Sequence, residues 1–478
     1  MLSYSFEDTG GDSLYDYLYK CIKTDILKGN LQADEKLPSK RMLAAHLGVS
    51  VITVENAYSQ LLAEGYIYSK ARSGYYVSPI GLAPKAQMDT AAPAEEDDDQ
   101  GPAYFADFLA SGADADAFPF RIWLKTSQQV MRDKKDELLK KPDAGGCMIL
   151  RQQISRHLAD FRGLKVSPRQ IIIGSGTEYL YGLLVRFFGA DTVVCLEDPG
   201  YPKIEKIYMS NGARCVHAGI DRDGIRISEL RDADASLVHV SPSHQFPTGI
   251  AMPARRRYEL LSWASEDSSR YIIEDDYDSE FRFSGRPLPS LASMDAGGRV
   301  IYINTFSKSL CPTLRLSYMV LPKPLLKQFY DKLGFLSCTV SNFEQLTLAE
   351  FIEDGHFERH LNRMRVYYRR KRKRFFDAIR GCRAAQRMHI IEEGAGLHFL
   401  LRIDTSLPDS EMKKILARHG IHIASISDYY VKKKPEMEHV FIVNYSAIDS
   451  SRIEEAADRI AQSIEEAQET ASQRDCAG

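Results

Sequence analysis

Lys308 stands among hydroxyls in Thr305-Phe-Ser307-Lys308, and Arg315 follows it within the same stretch. An amine flanked by hydroxyls, with a guanidinium close by, suits a Schiff-base lysine beside a phosphate clamp. A second string, Glu274-Asp275-Asp276-Tyr277, offers a carboxylate that could pair with a pyridinium nitrogen and a phenol that could reach a ring oxygen. Gly174-Ser-Gly176-Thr177-Glu brings small residues to a helix start, where bare backbone N–H groups make an anion site. Tyr201, in Asp198-Pro-Gly-Tyr201, could stack on a ring. Each string taken singly is more often structural, and Gly-Ser-Gly in particular is often only a turn. All of them at strand ends, in this order, are not a coincidence.

The elements that must position these residues can be read from the apolar runs. Ile171-Ile-Ile, Val193-Val-Cys-Leu, Leu237-Val-His-Val, Tyr271-Ile-Ile, Val300-Ile-Tyr-Ile and Tyr318-Met-Val-Leu are short buried-strand patterns with helical segments between several of them. The alternation predicts an α/β fold with a mostly parallel sheet whose ligand sits at the carboxyl ends of the strands. A long helical stretch is expected from about Phe343 to Ile379. Its basic run Arg369-Arg-Lys-Arg-Lys-Arg374 reads as a solvated helix face, with a second nucleic-acid site as the alternative. A smaller α+β unit should fill the chain from about residue 360.

The amino-terminal part reads differently. Leu14, Leu18, Ile22 and Ile26 recur at helical spacing up to Gly29. Ser39 and Ser50 are natural caps for two further helices, with the Gly48 turn between them, and the last ends at Gly65. Tyr66-Ile-Tyr-Ser-Lys and Ser73-Gly-Tyr-Tyr-Val then form a hairpin around Lys70, Arg72 and Gly74. Two helices across a tight turn followed by a hairpin describe a winged helix-turn-helix. Lys36, Lys40, Arg41, Lys70 and Arg72 would gather at the helix starts and wing, where phosphates lie. A helical domain used only for dimerisation is the plainer alternative. Residues 80–103 are poor in large apolar groups and contain Glu95-Glu-Asp-Asp-Asp, so a flexible acidic linker is expected, or else an ordered acidic loop.

Composition fits this division. With 44% hydrophobic and 27% charged residues the chain can bury large cores, and a net charge of −3 excludes a uniformly basic coat. Eight cysteines without a C-x-x-C pair read as reduced thiols. No membrane span and no secretion signal is read, so the cytoplasm is the expected compartment. His356-Phe-Glu-Arg-His360 lacks the glutamate next to the first histidine that a zinc site of this spacing needs, and is expected to be a solvated helix face.

Leu37-Pro-Ser-Lys-Arg41, Leu47-Gly-Val-Ser-Val-Ile-Thr53 and Ala57-Tyr-Ser-Gln-Leu-Leu-Ala-Glu-Gly65 resemble the DNA-binding domain of the GntR regulators. The resemblance implies DNA contacts from Ser39, Arg41, Ser50 and Thr53, with Gly74 at the wing tip; Lys36 and Arg72 join them on charge. Val51 stands where that family usually has Arg or Lys. Thr305-Phe-Ser-Lys-Ser-Leu-Cys-Pro-Thr-Leu-Arg315 and Ile273-Glu-Asp-Asp-Tyr-Asp-Ser-Glu-Phe are similar to the fold-type I aminotransferases that use pyridoxal 5′-phosphate. Carried over, Lys308 forms the Schiff base and Asp275 keeps the pyridine nitrogen protonated. Tyr277 bonds the ring oxygen, Tyr201 stacks on the ring, and Gly176, Thr177, Thr305, Ser307 and Arg315 surround the phosphate. Phe246 sits where related enzymes place an Asn, which leaves Tyr277 the heavier role. Ile442 sits where a carboxylate-binding Arg is expected, and Lys203 lies where some relatives keep a second carboxylate partner.

The combined plan resembles the MocR/GabR-type bacterial transcription regulators. It implies a winged helix-turn-helix over residues 1–79, the linker over 80–103, and a pyridoxal-phosphate-binding aminotransferase-like effector domain over 104–478. It also implies a head-to-tail homodimer on double-stranded operator DNA, sensing an amino compound or pyridoxal phosphate itself, with transaminase activity at most residual. A genuine aminotransferase with an ancillary DNA-binding domain is the alternative.

Overall fold

Ser39 and Ser50 each start a helix with their own side chains. Ser39 Oγ accepts from Met42 N at 3.3 Å and Ser50 Oγ accepts from Thr53 N at 3.0 Å. Such caps satisfy amide groups that no helical carbonyl reaches, and each is worth about 1 kcal/mol. The helices they open are Lys40–Leu47 and Val51–Ala63, preceded by Leu14–Lys28. Gly29 and Gly48 close the first two at φ +78° and +67°, a conformation that glycine takes without steric cost. The strands Ile67–Lys70 and Gly74–Val77 pair antiparallel, Lys70 opposite Gly74. Leu18, Ile22, Leu43, Val54, Tyr58, Leu61, Ile67 and Val77 form the core of this head.

In this computed structural model the chain divides into two compact units, Met1–Gln100 and Gly101–Gly478. The structure describes residues 2, 4, 6, 12–79, 104–110, 117–283, 289–391, 396–431 and 437–477. The expected linker, 80–103, lies outside them.

The larger unit is built on an eight-stranded sheet. Its spatial order is Ile171–Gly174, Ser317–Val320, Val300–Thr305, Tyr271–Asp275, Leu237–Val240, Val193–Asp198, Arg214–Asp221 and Gly224–Ile225. The central pairings are parallel, while Ser317–Val320 and the short edge strand Gly224–Ile225 run antiparallel to their neighbours. Helices cover both faces, so the strands are apolar on both sides. Ile272 packs with Leu260 and Trp263 on one face, and Ile273 packs with Leu180 and Leu184 on the other. A second, antiparallel sheet orders Met388–Ile391, His398–Ile403, Val440–Asn444 and Ala424–Ser425. It packs with the helices Asp409–Arg418 and Ile453–Ala477 around Phe399, Leu401, Phe441 and Ile460. Among the described residues, no helix is long and apolar enough to cross a membrane.

Three expectations need correction. The stretch from 343 to 379 is two helices, Asn342–Glu353 and His356–Gly381, separated at Gly355 with φ +68°. His360 does not face solvent: it is buried, its Nε2 lies 2.8 Å from the Ser309 carbonyl oxygen, and burial pulls its imidazole down to about 4. Within the basic run, Arg369, Arg370, Lys373 and Arg374 are exposed. Lys371 instead turns inward and donates to the Ser446 carbonyl at 3.0 Å, because its position falls on the apolar stripe with Tyr368 and Phe375.

Candidate cofactor site and DNA-binding face

Three adjacent strands bring the phosphate-binding candidates to one level. Thr305 pairs with Ser317, and Ser317 pairs with Gly174. Thr305 ends its strand and caps the short helix Phe306–Ser309, its Oγ1 accepting from Ser307 N at 3.1 Å and from Ser317 Oγ at 2.7 Å. It also donates to Ser307 Oγ at 2.9 Å. Beside it, Gly176 (φ +89°) precedes the helix Thr177–Phe188, whose first amide groups have no helical acceptor. A methyl group at Gly176 would stand 2.6 Å from Arg315 Nη2, so the guanidinium lies against this helix start only because no Cβ is there. Gly176, Thr177, Thr305, Ser307 and Arg315 thus lie at or beside the ends of adjacent strands and a helix start, a candidate cradle for an anion, which a helix N-terminus and a guanidinium both favour.

Asp275 ends the neighbouring strand, opposite Ile303. Its Oδ2 accepts from the Tyr181 phenol at 2.6 Å and lies 3.5 Å from His239 Nε2, while Tyr208 Oη meets His239 Nδ1 at 2.9 Å. Its Oδ1 is buried and makes no hydrogen bond within the protein. A buried carboxylate oxygen of that kind fits a protonated ring nitrogen, and the cradle one strand away fits the phosphate of the same molecule. Lys308 is half-buried; desolvation lowers its ammonium below the ordinary lysine range, and Asp278 opposes the shift. Such an amine loses its proton readily and becomes a nucleophile.

The remaining candidates, Tyr201 and Tyr277, touch the loop that carries His244 and Phe246. Tyr201 opens the helix Pro202–Ser210, is 47% exposed, and meets Phe246 edge-on at 5.5 Å between ring centroids. Phe246 also touches Tyr429 and His398, at 5.2 and 5.3 Å. Tyr277 Oη donates to the His244 carbonyl oxygen at 3.1 Å.

Sequence reading missed Tyr181, His239, His244, Asp278 and Glu178. Glu178 binds Lys203 Nζ at 2.5 Å and lies 3.8 Å from Arg315. Tyr181 carried a usable signal, since it follows Thr177 by one helical turn and must share its face. His239 and His244 did not, because a single histidine in an apolar strand or a turn announces nothing.

On the head, Lys36, Ser39, Arg41, Ser50, Arg72 and Gly74 are exposed and Thr53 is half-buried. Lys36 lies against Gly74, its Cε 3.6 Å from where a Cβ would stand, so the strand entry and the wing tip adjoin. Lys70 Nζ lies 4.6 Å from the Tyr76 ring centre. Lys40 is held by Glu55 at 2.7 Å. Val51 and Ile52, at the start of the third helix, are 43% and 68% exposed.

Comparison with known proteins matches both units. Residues 14–77 match the gntR family of bacterial regulatory proteins, and residues 110–460 match aminotransferase class I and II. The chain is 40% identical over 426 residues to the HTH-type transcriptional regulator YdeL of Bacillus subtilis, covering 88% of this chain and 91% of that one. It is 32% identical over 457 residues to the probable rhizopine catabolism regulatory protein MocR of Rhizobium meliloti, covering 92% of each. It is 30% identical over 419 residues to the pyridoxine biosynthesis regulator PdxR of Corynebacterium glutamicum, covering 87% and 89%. The fold is shared with the kynurenine aminotransferase of Pyrococcus horikoshii, at 23% identity and TM-score 0.67 over 76% of this chain and 91% of that one. It is also shared with the multiple substrate aminotransferase of Thermococcus profundus, at 22% and 0.68 over 78% and 93%. With a gntR-family head, an aminotransferase class I and II body and regulators as relatives along nearly its whole length, the chain belongs to the MocR-type transcription regulators.

Proposed function

We propose that this regulator binds operator DNA through its head as a head-to-tail homodimer, and that its body carries pyridoxal 5′-phosphate on Lys308 as the sensing group. The observation that carries the reading is the buried, unpaired Oδ1 of Asp275 one strand from the Thr305–Gly176–Arg315 cradle. When bound there, the cofactor supplies an electrophilic aldehyde and an electron-withdrawing ring.

The chain's own residues have separable tasks. Gly176 and Thr177 offer backbone amide groups, Thr305 and Ser307 offer hydroxyls, and Arg315 adds charge. Asp275, oriented by Tyr181 and kept near His239, holds the ring-nitrogen proton. Lys308 presents an amine that burial makes easier to deprotonate. Tyr201 and Phe246 would cover the ring, and Tyr277 would serve its oxygen.

The effector is a small amino compound or the cofactor itself. The relative PdxR is named for pyridoxine biosynthesis, which supports the second choice. The test is to select a binding site from random duplexes, then measure affinity for it with and without added cofactor. A cofactor-dependent change in affinity supports the reading. Sequence-indifferent binding at moderate salt defeats the operator part, and rapid multiple turnover with one amino acid would favour a genuine aminotransferase.

A further inference from the structure

Tyr277 is engaged from one direction by a single residue. Its Oη donates to the His244 carbonyl oxygen at 3.1 Å and lies 3.2 Å from Nδ1 of the same histidine. That Nδ1 meets Asp278 Oδ2 at 2.8 Å, and both side chains are buried. A carboxylate at this distance takes the Nδ1 proton as acceptor, which leaves the phenol to donate to the carbonyl.

The imidazole is also clamped from the small sheet. Its ring lies 4.7 Å from that of His398, whose Nε2 lies 3.1 Å from the Pro247 carbonyl oxygen. Gly396 (φ +77°) backs the other edge, where a Cβ would fall on the imidazole. Gly396 is itself fixed, its N–H donating to the Phe281 carbonyl at 2.9 Å and its own carbonyl accepting from Tyr445 Oη at 2.7 Å.

We infer that His244, locked by Asp278, is the positioning residue for the Tyr277 phenol, supplying a restraint that the Phe246 side chain cannot give. The inference rests on the cofactor reading above. Phe246 has no polar atom to share with a ring oxygen, so the phenol must be aimed by something else, and a group misplaced by about 1 Å loses much of its effect. Asp278 ties the arrangement to Lys308, being the carboxylate that raises that amine against burial. The charged and titratable groups around the assembly are Asp278, Tyr277 and His398 about His244, and Asp275, Asp276, Asp278 and Glu197 about Tyr277. Lys308 faces Asp278 and His398; burial holds His398 neutral near neutral pH.

The experiment reads the phenol with and without cofactor. In cofactor-free protein carrying carbon-labelled tyrosine, the Tyr277 NMR signal is identified by its loss in Tyr277→Phe. It should move in His244→Asn and in Asp278→Asn; an unmoved signal overturns the inference whether or not the cofactor binds. In the holo-protein, the pH midpoint of the visible band should rise by about one unit in His244→Asn, a tenfold change. The direction follows because, with cofactor bound, the phenol's one proton would turn from the His244 carbonyl to the ring oxygen, and a donor there favours the state with one proton fewer. If His244 acts through Tyr277, the double variant His244→Asn/Tyr277→Phe should match Tyr277→Phe alone. Additive shifts overturn the proposal. Borohydride fixation of cofactor to Lys308 in the wild type tests the cofactor reading separately.

Discussion

The Tyr181 phenol donates to Asp275 Oδ2 at 2.6 Å, while Oδ1 of the same carboxylate stays buried without a hydrogen bond in the protein. The two oxygens therefore differ: one is tied to the helix Thr177–Phe188, and the other is open to the ring nitrogen of the proposed cofactor. Asp275→Ala should weaken cofactor binding by roughly 10- to 150-fold, the worth of a charge-assisted hydrogen bond of about 1.5–3 kcal/mol. Tyr181→Phe and Tyr201→Phe should cost less, since both leave the ring nitrogen its charge partner. Equilibrium titration by absorbance ranks the three, and a Tyr201→Phe loss exceeding that of Asp275→Ala would reverse the assignment.

Lys308 supplies a second prediction, with its sign set by burial. Because the folded-state ammonium is lowered from the ordinary lysine value, the neutral amine is present at lower pH than for a surface lysine. Its rate of capture by pyridoxal phosphate should rise with pH and level off below the midpoint of an exposed lysine. Borohydride should then fix the label to one peptide, absent in Lys308→Ala. A label on another peptide would remove Lys308 from its role.

DNA recognition can be separated into charge and shape. Arg41→Ala should weaken binding by roughly 1–3 kcal/mol if the side chain reads a base, and uniformly across sequences if it meets phosphate. Val51 and Ile52 cannot donate hydrogen bonds, yet both are exposed at the start of the third helix. Apolar side chains there suit thymine methyl groups in the major groove. Replacing single thymines by uracil in a selected site should lower affinity at one or two positions, and Val51→Ala should abolish the difference at one of them. Equal affinity for both bases at every position would leave these side chains without a readout role.

A buried carboxyl predicts a pH effect on stability. Glu280 accepts from Asn304 Nδ2 at 3.4 Å, and its other oxygen is buried without a hydrogen bond. Burial, with Asp276 adding to it, raises this carboxyl from 4.5 to about 8. A raised folded-state value means the folded protein binds the extra proton. Its contribution is full below about 4.5 and is lost as pH rises through about 8, at a slope of at most about 1.4 kcal/mol per pH unit. Glu197, raised to about 8, and Glu274, raised to about 7, act in the same direction. Glu280→Gln should therefore reduce the fall in denaturation midpoint between about pH 4.5 and 8, while changing little below that range. An unchanged slope would place the charge elsewhere.

How much of this was legible in the sequence depended on period and punctuation. The strands that end at Asp275 and Thr305 could be read because both faces are apolar, giving short runs bounded by polar turns. Arg214–Asp221 was passed over because its first half is partly exposed, so the run is mixed. Ser39 and Ser50 announced their helices because a cap is a local device. His360 and Lys371 were misread because a polar side chain on an apolar stripe is buried only if a distant carbonyl receives it, here Ser309 and Ser446. The His244–Asp278 pair spans 34 residues of chain, and nothing local to either residue predicts such a contact.

The last prediction concerns the effector. A carboxylate ligand needs a cation aimed at it, and the position where the aminotransferase resemblance places arginine is Ile442. Ile442 lies in the middle strand pairing of the small sheet, opposite Leu400 and Ala424. It is buried with Val440 and Ile426 and has Tyr429 against the cluster. Lys203 is committed to Glu178 at 2.5 Å, and an ammonium lacks the two-pronged geometry of a guanidinium in any case. A carboxylate left without such a partner forfeits a few kcal/mol, about two orders of magnitude in affinity. Common α-amino acids titrated into the holo-protein should therefore leave the visible band nearly unchanged, while added cofactor should alter operator binding. Glu178→Gln frees Lys203 from an exposed pair worth about 0.2–1 kcal/mol, so it should improve carboxylate affinity by no more than about fivefold. Rapid bleaching of the band by one amino acid in the wild type would show that another cation serves the carboxylate and would overturn this account of the effector.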